Sequence, residues 1–170
     1  MNYPQYHKQP FRTIDLYSQA MADQFKITSQ NASFGEEFWN NCDNVLELGA
    51  GQGIIALALF RLVNESCKIH TLDIEVPLHR QVIKTLGSQL ESNLNLTITE
   101  FLSKNPHAIF DLITLVNVGS NHGINEASLL SNVMQPGGVV LDCMTDLSEK
   151  VMTPTFELIE AKGNKLWVLK

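Results

Sequence analysis

Apolar and polar positions alternate between two periods along most of this chain. "NVLEL" (44–48) is a short aliphatic run that stops at Gly49, and "IIALALFRLV" (54–63) reads as a helix apolar almost all round. "KIHTLDI" (68–74) alternates like a strand. Pro77 then stands where a helix would begin, and Leu78, Val82, Leu86 and Leu90 follow at helical spacing with Ile83 beside them. "NLTIT" (95–99) reads as a third strand and "DLITLVNV" (111–118) as a fourth. "INEASLLSNVM" (124–134) has a helical apolar face and is stopped by Pro136-Gly137-Gly138, after which "VVLDCM" (139–144) gives a fifth strand. Two further strand-like runs around Lys162-Gly163-Asn164 signal a closing hairpin.

Strands alternating with helices predict an α/β fold: a single Rossmann-like three-layer domain, mainly parallel, with a C-terminal antiparallel hairpin. The first 43 residues stand apart from this alternation. There Ile14, Leu16, Tyr17, Ala20, Met21 and Phe25 suggest one helix, either a flank packed on the core or a lid. The expected division is therefore a helical flank over 1–43 and a ligand-binding domain over 44–170.

Composition narrows the class of protein. At 170 residues, 44% apolar and 18% charged, the chain fits one ordinary globular domain. A formal charge of −6, with no Lys/Arg cluster, argues against a broad nucleic-acid-binding face. The three cysteines, Cys42, Cys67 and Cys143, are scattered and form no CxxC, which suits free thiols in a reducing compartment. The N-terminus has no signal-peptide pattern and no apolar run is long enough to cross a bilayer, so the expected location is the cytoplasm, away from any membrane.

The candidate chemistry centres on "GAGQG" (49–53), which lies outside the carboxyl end of the first strand, where open α/β sheets bind ligands. Glycines let a ligand come close to the backbone and permit positive φ. A dinucleotide, a nucleoside triphosphate and S-adenosylmethionine are the usual occupants. A phosphate-binding P-loop requires a lysine, and none occurs between Asn44 and Phe60. Ile54 occupies the third glycine position of the dinucleotide fingerprint, and Glu47 would set a carboxylate beside a pyrophosphate.

The acids suit another ligand. Asp73, twenty residues after Gly53, can accept hydrogen bonds from both hydroxyls of a ribose. Glu100 is a candidate for an adenine amino group, with Phe101 for ring packing or as a core residue. Glu47, Asp73, Glu75 and Glu100 together form an acidic rim that favours a sulfonium and an ammonium over a diphosphate.

On these residues the chain resembles the class I S-adenosylmethionine-dependent methyltransferases. "VLELGAGQG" is similar to their first motif, "HTLDIE" to the acidic end of their second strand, "FDLITLVNV" to their fourth-strand motif, and "MQPGGVVLDCM" to the turn and strand that follow. The resemblance implies that Gly49, Ala50, Gly51 and Gly53 line the methionine and ribose part of S-adenosylmethionine. It further implies that Glu47 holds the methionine amino group, Asp73 the ribose, Ile74 and Glu100 the adenine, and that Asn117 faces the methyl-transfer site.

The acceptor is less legible. "NVGSNHG" (117–123) lacks the (D/N)PPY-type sequence of amino-group methyltransferases, a nucleophilic cysteine, and the aspartates of metal-dependent catechol enzymes. His122 is the one titratable group in it and a candidate general base, or simply a surface histidine; His7 and Tyr17 are further candidates. No insertion after the fourth or fifth strand offers a substrate cap, so a small molecule or peptide is the expected acceptor. Either the N-terminal flank alone then covers the pocket, or a homodimer or partner protein completes it. The expected function is metal-independent methyl transfer to oxygen or nitrogen. The alternatives are a non-catalytic subunit of this fold and an aminopropyltransferase-like enzyme.

Overall fold

The computed structural model describes residues 9–32, 34–116, 127–143, 152, 154–161 and 164–170. Among these residues, seven strands form one sheet: β1 (Asn44–Leu48), β2 (Lys68–Asp73), β3 (Leu90–Leu94), β4 (Phe110–Val116), β5 (Met134–Cys143), β6 (Phe156–Ala161) and β7 (Asn164–Leu169). Their order across the sheet is β3-β2-β1-β4-β5-β7-β6. The first five run parallel, whereas β7 runs antiparallel to both β5 and β6. The strand order reverses at β1, the position beside whose carboxyl end open α/β sheets bind ligands. This is the expected α/β architecture with its antiparallel hairpin.

Among the described residues, six α-helices cover the sheet: α1 (Phe11–Asn31), α2 (Gly35–Asn40), α3 (Ile54–Phe60), α4 (Arg80–Leu86), α5 (Ile98–Lys104) and α6 (Ala127–Ser131). Alternation along the strands sorts the apolar residues onto two faces. Val45, Ile69, Leu112, Val139 and Leu141 pack with α1 to α4. Leu46, Leu48, Leu72, Ile113, Leu115 and Val140 pack with α5 and α6. The helix expected in the N-terminal flank is α1, and it belongs to the first face. Ile14, Ala22 and Phe25 are buried at helical spacing, Phe25 stacks on Trp39 of α2, and Asp15 pairs with Arg61 just after α3.

Several elements differ from the sequence expectation: the N-terminal flank holds a second helix, α2, and β5 already begins at Met134, so Pro136-Gly137-Gly138 lie inside the strand and α6 ends at Ser131. α3 stops at Phe60, although Leu62 and Val63 remain buried in the turns that follow. α4 starts only at Arg80 and ends at Leu86, where Gly87 with a φ of 54° breaks the helix, so Leu90 opens β3 instead of extending the helical face. The third strand is Leu90–Leu94 and not 95–99. Thr97 instead caps α5 through a reciprocal capping box with Glu100, and this local device outweighs the β-branched character of "NLTIT".

Candidate functional site

The glycine loop is bound to the end of β2. Gly49 N and Ala50 N both donate to Leu72 O, at 2.9 and 3.1 Å, and Gly51 N donates to Asp73 Oδ2 at 2.8 Å. Gly49, Gly51 and Gly53 all have positive φ, at 77°, 52° and 94°. They serve different ends. A Cβ on Gly51 would meet nothing within 4 Å, leaving backbone open to a ligand. One on Gly53 would lie 2.8 Å from Val82 Cγ1 and 2.9 Å from Leu78 Cδ2, so that glycine is needed for α3 to approach the start of α4.

Asp73 organises the neighbouring turn as well. Its Oδ1 accepts from Glu75 N and Val76 N at 2.9 and 2.8 Å, and partly buried Ile74 lies between. One carboxylate therefore fixes the loop after β1 and the loop after β2 together. Asn95, in a left-handed conformation at φ 60°, follows β3 on the other side and donates its N–H to Asp73 O at 2.9 Å.

Glu47 is 0% exposed and neither carboxylate oxygen has a hydrogen-bond partner. Burial, reinforced by the Asp73 charge, holds its pKa well above the ordinary carboxylate value. The Ala56 N–H in the first turn of α3 approaches and opposes that shift without attaining hydrogen-bond geometry. Glu47 is in register with Thr71 of β2 and Thr114 of β4, so all three side chains emerge on the α3 face. Thr114 is equally buried, and its Oγ1 also lacks a partner. Thr114 had no place in the sequence reading, because a lone threonine in an apolar strand gives no signal until its neighbours are known.

A second contact joins the start of α1 to the same loop. Gln9 N donates to Gln52 Oε1 at 3.0 Å, His79 N to Gln52 O at 3.1 Å, and the Phe11 and His79 rings stack at 5.7 Å. His79 also caps α4, its Nδ1 accepting from Gln81 N. Only the fold brings Gln9 and Gln52 together.

Glu47, Gly49, Ala50, Gly51, Gly53, Asp73 and Ile74 thus converge at the carboxyl ends of β1 and β2. Glu100 and Phe101 serve α5 instead. Glu100 Oε2 accepts from Thr97 N and Oγ1 at 2.8 and 2.9 Å, bonds that hold its carboxyl below the usual range. Phe101 is 2% exposed and sits in the second core cluster, against His70 and Phe110. Its ring is thus a core ring, of the two roles the sequence left open. The position beside Asp73 after the third strand is filled by Asn95. Asn117 and His122 lie outside the described residues, as does His7, while Tyr17 is an exposed residue of α1. The three cysteines are free and buried, their thiols pushed upward in pKa by desolvation. Among the described residues, no helix is long and apolar enough to cross a membrane.

No family model matches the chain, and no curated protein matches it by sequence. Solved structures do match. A candidate O-methyltransferase from Klebsiella pneumoniae aligns with 98% of this chain and 93% of its own, at a TM-score of 0.64 and 13% identity. The O-methyltransferase from Bacillus cereus, solved in complex with SAH, aligns with 99% of this chain and 85% of its own, at a TM-score of 0.62 and 15% identity. The chain shares their fold. A cyclopropane-fatty-acyl-phospholipid synthase-like protein from Lactobacillus casei also matches, over 77% of this chain and 48% of its own, at a TM-score of 0.53 and 19% identity. The shared fold therefore does not by itself indicate an acceptor.

Proposed function

We propose that the protein is an S-adenosylmethionine-dependent methyltransferase that acts, without a metal, on an oxygen or nitrogen of a small molecule or peptide. The observation that carries this reading is the fully buried, unpartnered carboxyl of Glu47 beside a glycine loop tied to Asp73. Leaving such a group unsatisfied costs free energy that a cationic, hydrogen-bonding ligand returns. The resemblance in motifs and the fold of the SAH-bound Bacillus cereus enzyme support the same cofactor.

In this reading Glu47 holds the amino end of the cofactor. Gly49, Ala50, Gly51 and Gly53 give it close backbone approach, and Asp73 holds the ribose with Ile74 beside the adenine. The cofactor supplies a methyl group on a sulfonium. The chain supplies alignment of the acceptor against it, worth up to about 7–11 kcal/mol when the geometry is good. Asn117 and His122 are proposed to face the acceptor, His122 as general base. A second subunit or partner is proposed to complete the acceptor pocket, and the cytoplasm is the proposed location.

Thermal melting in the presence of S-adenosylhomocysteine and of NAD tests the cofactor. The first raises the melting temperature and the second does not; the reverse ranking would sink the proposal. Incubation with methyl-labelled cofactor and a lysate identifies the acceptor class, since label moves either to a small product or to a protein band.

A further inference from the structure

A groove of 310 Å³ opens between α2 and the amino ends of the strands, at the other end of the sheet from the glycine loop. Phe34, Glu37, Phe38 and Asn41 line it from α2 and its flanks, at a helical spacing that puts them on one face. Opposite them stand Asp111, near the start of β4, and residues 135–138 of β5. Half-buried Phe34 and Phe38 make an aromatic wall, their ring centroids 5.2 Å apart. The charged side chains of the lining, Glu37 and Asp111, are both acids, and neither has an ion-pair partner among the described residues. Asp111 is pinned in place: its Oδ2 accepts from Asp43 N and Asn44 N, both at 2.8 Å, which leaves Oδ1 for a further donor. No Lys or Arg occurs between residues 27 and 60, and exposed Glu36 and Asp43 add acids next to the lining.

Aromatic faces beside unpaired carboxylates suit a flat cation. A guanidinium stacks on a ring and gives parallel N–H bonds to a carboxylate, whereas an ammonium is a compact, strongly hydrated point charge. The groove is also open, for Glu37, Asn41, Gln135, Pro136 and Gly137 are exposed. A free small ligand is held by burying most of its surface, which such a rim does not provide. A side chain delivered by a larger surface needs less cover, and basic residues flanking it would meet Glu36 and Asp43. We propose that this groove is a docking site for an arginine side chain carried in a basic segment of a partner polypeptide. The site is independent of the cofactor reading, since β1 alone sets it about 16 Å from the glycine loop.

The test is NMR titration of the full chain with the tripeptide acetyl-Lys-Arg-Lys-amide, and with versions carrying lysine or neutral citrulline at the centre. The arginine peptide is expected to shift the amide signals of Glu37, Asn41 and Gly137 and to leave those of residues 49–53 in place. It should bind about threefold or more tighter than the lysine peptide, the scale of an exposed cation–π contact. Against the citrulline peptide the margin should be about tenfold or more, the scale of hydrogen bonds to charged groups. Glu37→Gln, at an exposed position, should weaken the arginine peptide by about threefold. Adding Asp111→Asn, which keeps an oxygen for the Asp43 and Asn44 N–H groups, should bring the loss to about tenfold or more.

Equal binding of the arginine and citrulline peptides, or full affinity retained in both variants, would overturn the role of the carboxylates. Equal binding of the arginine and lysine peptides would overturn the preference for a guanidinium. Acetyl-argininamide that binds as tightly as the tripeptide would make this a small-molecule site and overturn the polypeptide occupant. Signals that move at residues 49–53 instead, or at no residue of the groove, would overturn the site itself. A failure to bind S-adenosylhomocysteine would overturn the cofactor reading and leave every one of these outcomes as decisive as before.

Discussion

Asp73 shows how one side chain couples structure to binding. A carboxylate offers about four lone-pair sites, and here backbone N–H groups of Gly51, Glu75 and Val76 occupy three of them. A ribose must use the remaining site or displace one of these donors. Asp73→Ala is therefore expected to do two things. It lowers S-adenosylhomocysteine affinity by about 1.5–3 kcal/mol, and it lowers the melting temperature of the empty protein because three N–H groups lose their acceptor. Calorimetry and thermal melting separate the two, and unchanged affinity would remove Asp73 from the ribose.

Glu47 adds a pH dependence of definite sign. Its folded pKa lies well above the unfolded value of about 4.5, so the folded chain keeps a proton that the unfolded chain releases. Its contribution to stability is fully present below that unfolded value and is lost as pH rises toward the folded pKa. Glu47→Gln should flatten this decline in urea titrations as pH rises above about 4.5. Ammonium binding requires the carboxylate, so S-adenosylhomocysteine affinity should rise with pH across the same window in wild-type protein only.

At the scale of elements, the loop between β1 and α3 works because Gly53 lets two helices meet. Gly53→Ala forces a Cβ into Val82 and Leu78 and requires φ of 94° from a residue that avoids it. A loss of about 1–3 kcal/mol in stability is expected from the backbone strain alone, measured by denaturant titration. Gly51→Ala meets no neighbour, so any excess loss there should fall on ligand affinity.

The α5 region shows what a sequence pattern can and cannot convey. Thr97-x-x-Glu100 is a helix-start signature, yet "NLTIT" also reads as a strand, and only the pairing of "LESNL" with β2 decides between them. The elements flanking the glycine loop were legible because their apolar periods are strong. β3 was not, because Leu90–Leu94 is a polar segment at the edge of the sheet, where one neighbour suffices. With the capping box assigned, Thr97→Ala should cost about 0.5–2 kcal/mol of stability. It should leave S-adenosylhomocysteine affinity unaltered, and so should Glu100→Ala.

At the scale of the molecule, the unequal covering of the sheet decides what the N-terminal flank is. α1 and α2 close the face that also carries Glu47 and Thr114, with Ile14 and Phe25 at 0% exposure and Trp39 donating to Ser29 at 3.0 Å. The sequence revealed the helix but not its placement, because contacts such as Gln9 with Gln52 span 43 residues and leave no local pattern. Each large side chain buried here contributes about 1.5–3 kcal/mol, against a total stability of about 5–15 kcal/mol for a typical domain. Phe25→Ala alone should therefore cost about 3–5 kcal/mol. A chain begun at Phe34 loses Ile14, Ala22 and Phe25 together and uncovers Trp39, a loss comparable with the whole stability. It should show no cooperative urea transition and no response to S-adenosylhomocysteine. A shortened chain that unfolds cooperatively and binds the ligand would instead make α1 a dispensable cover.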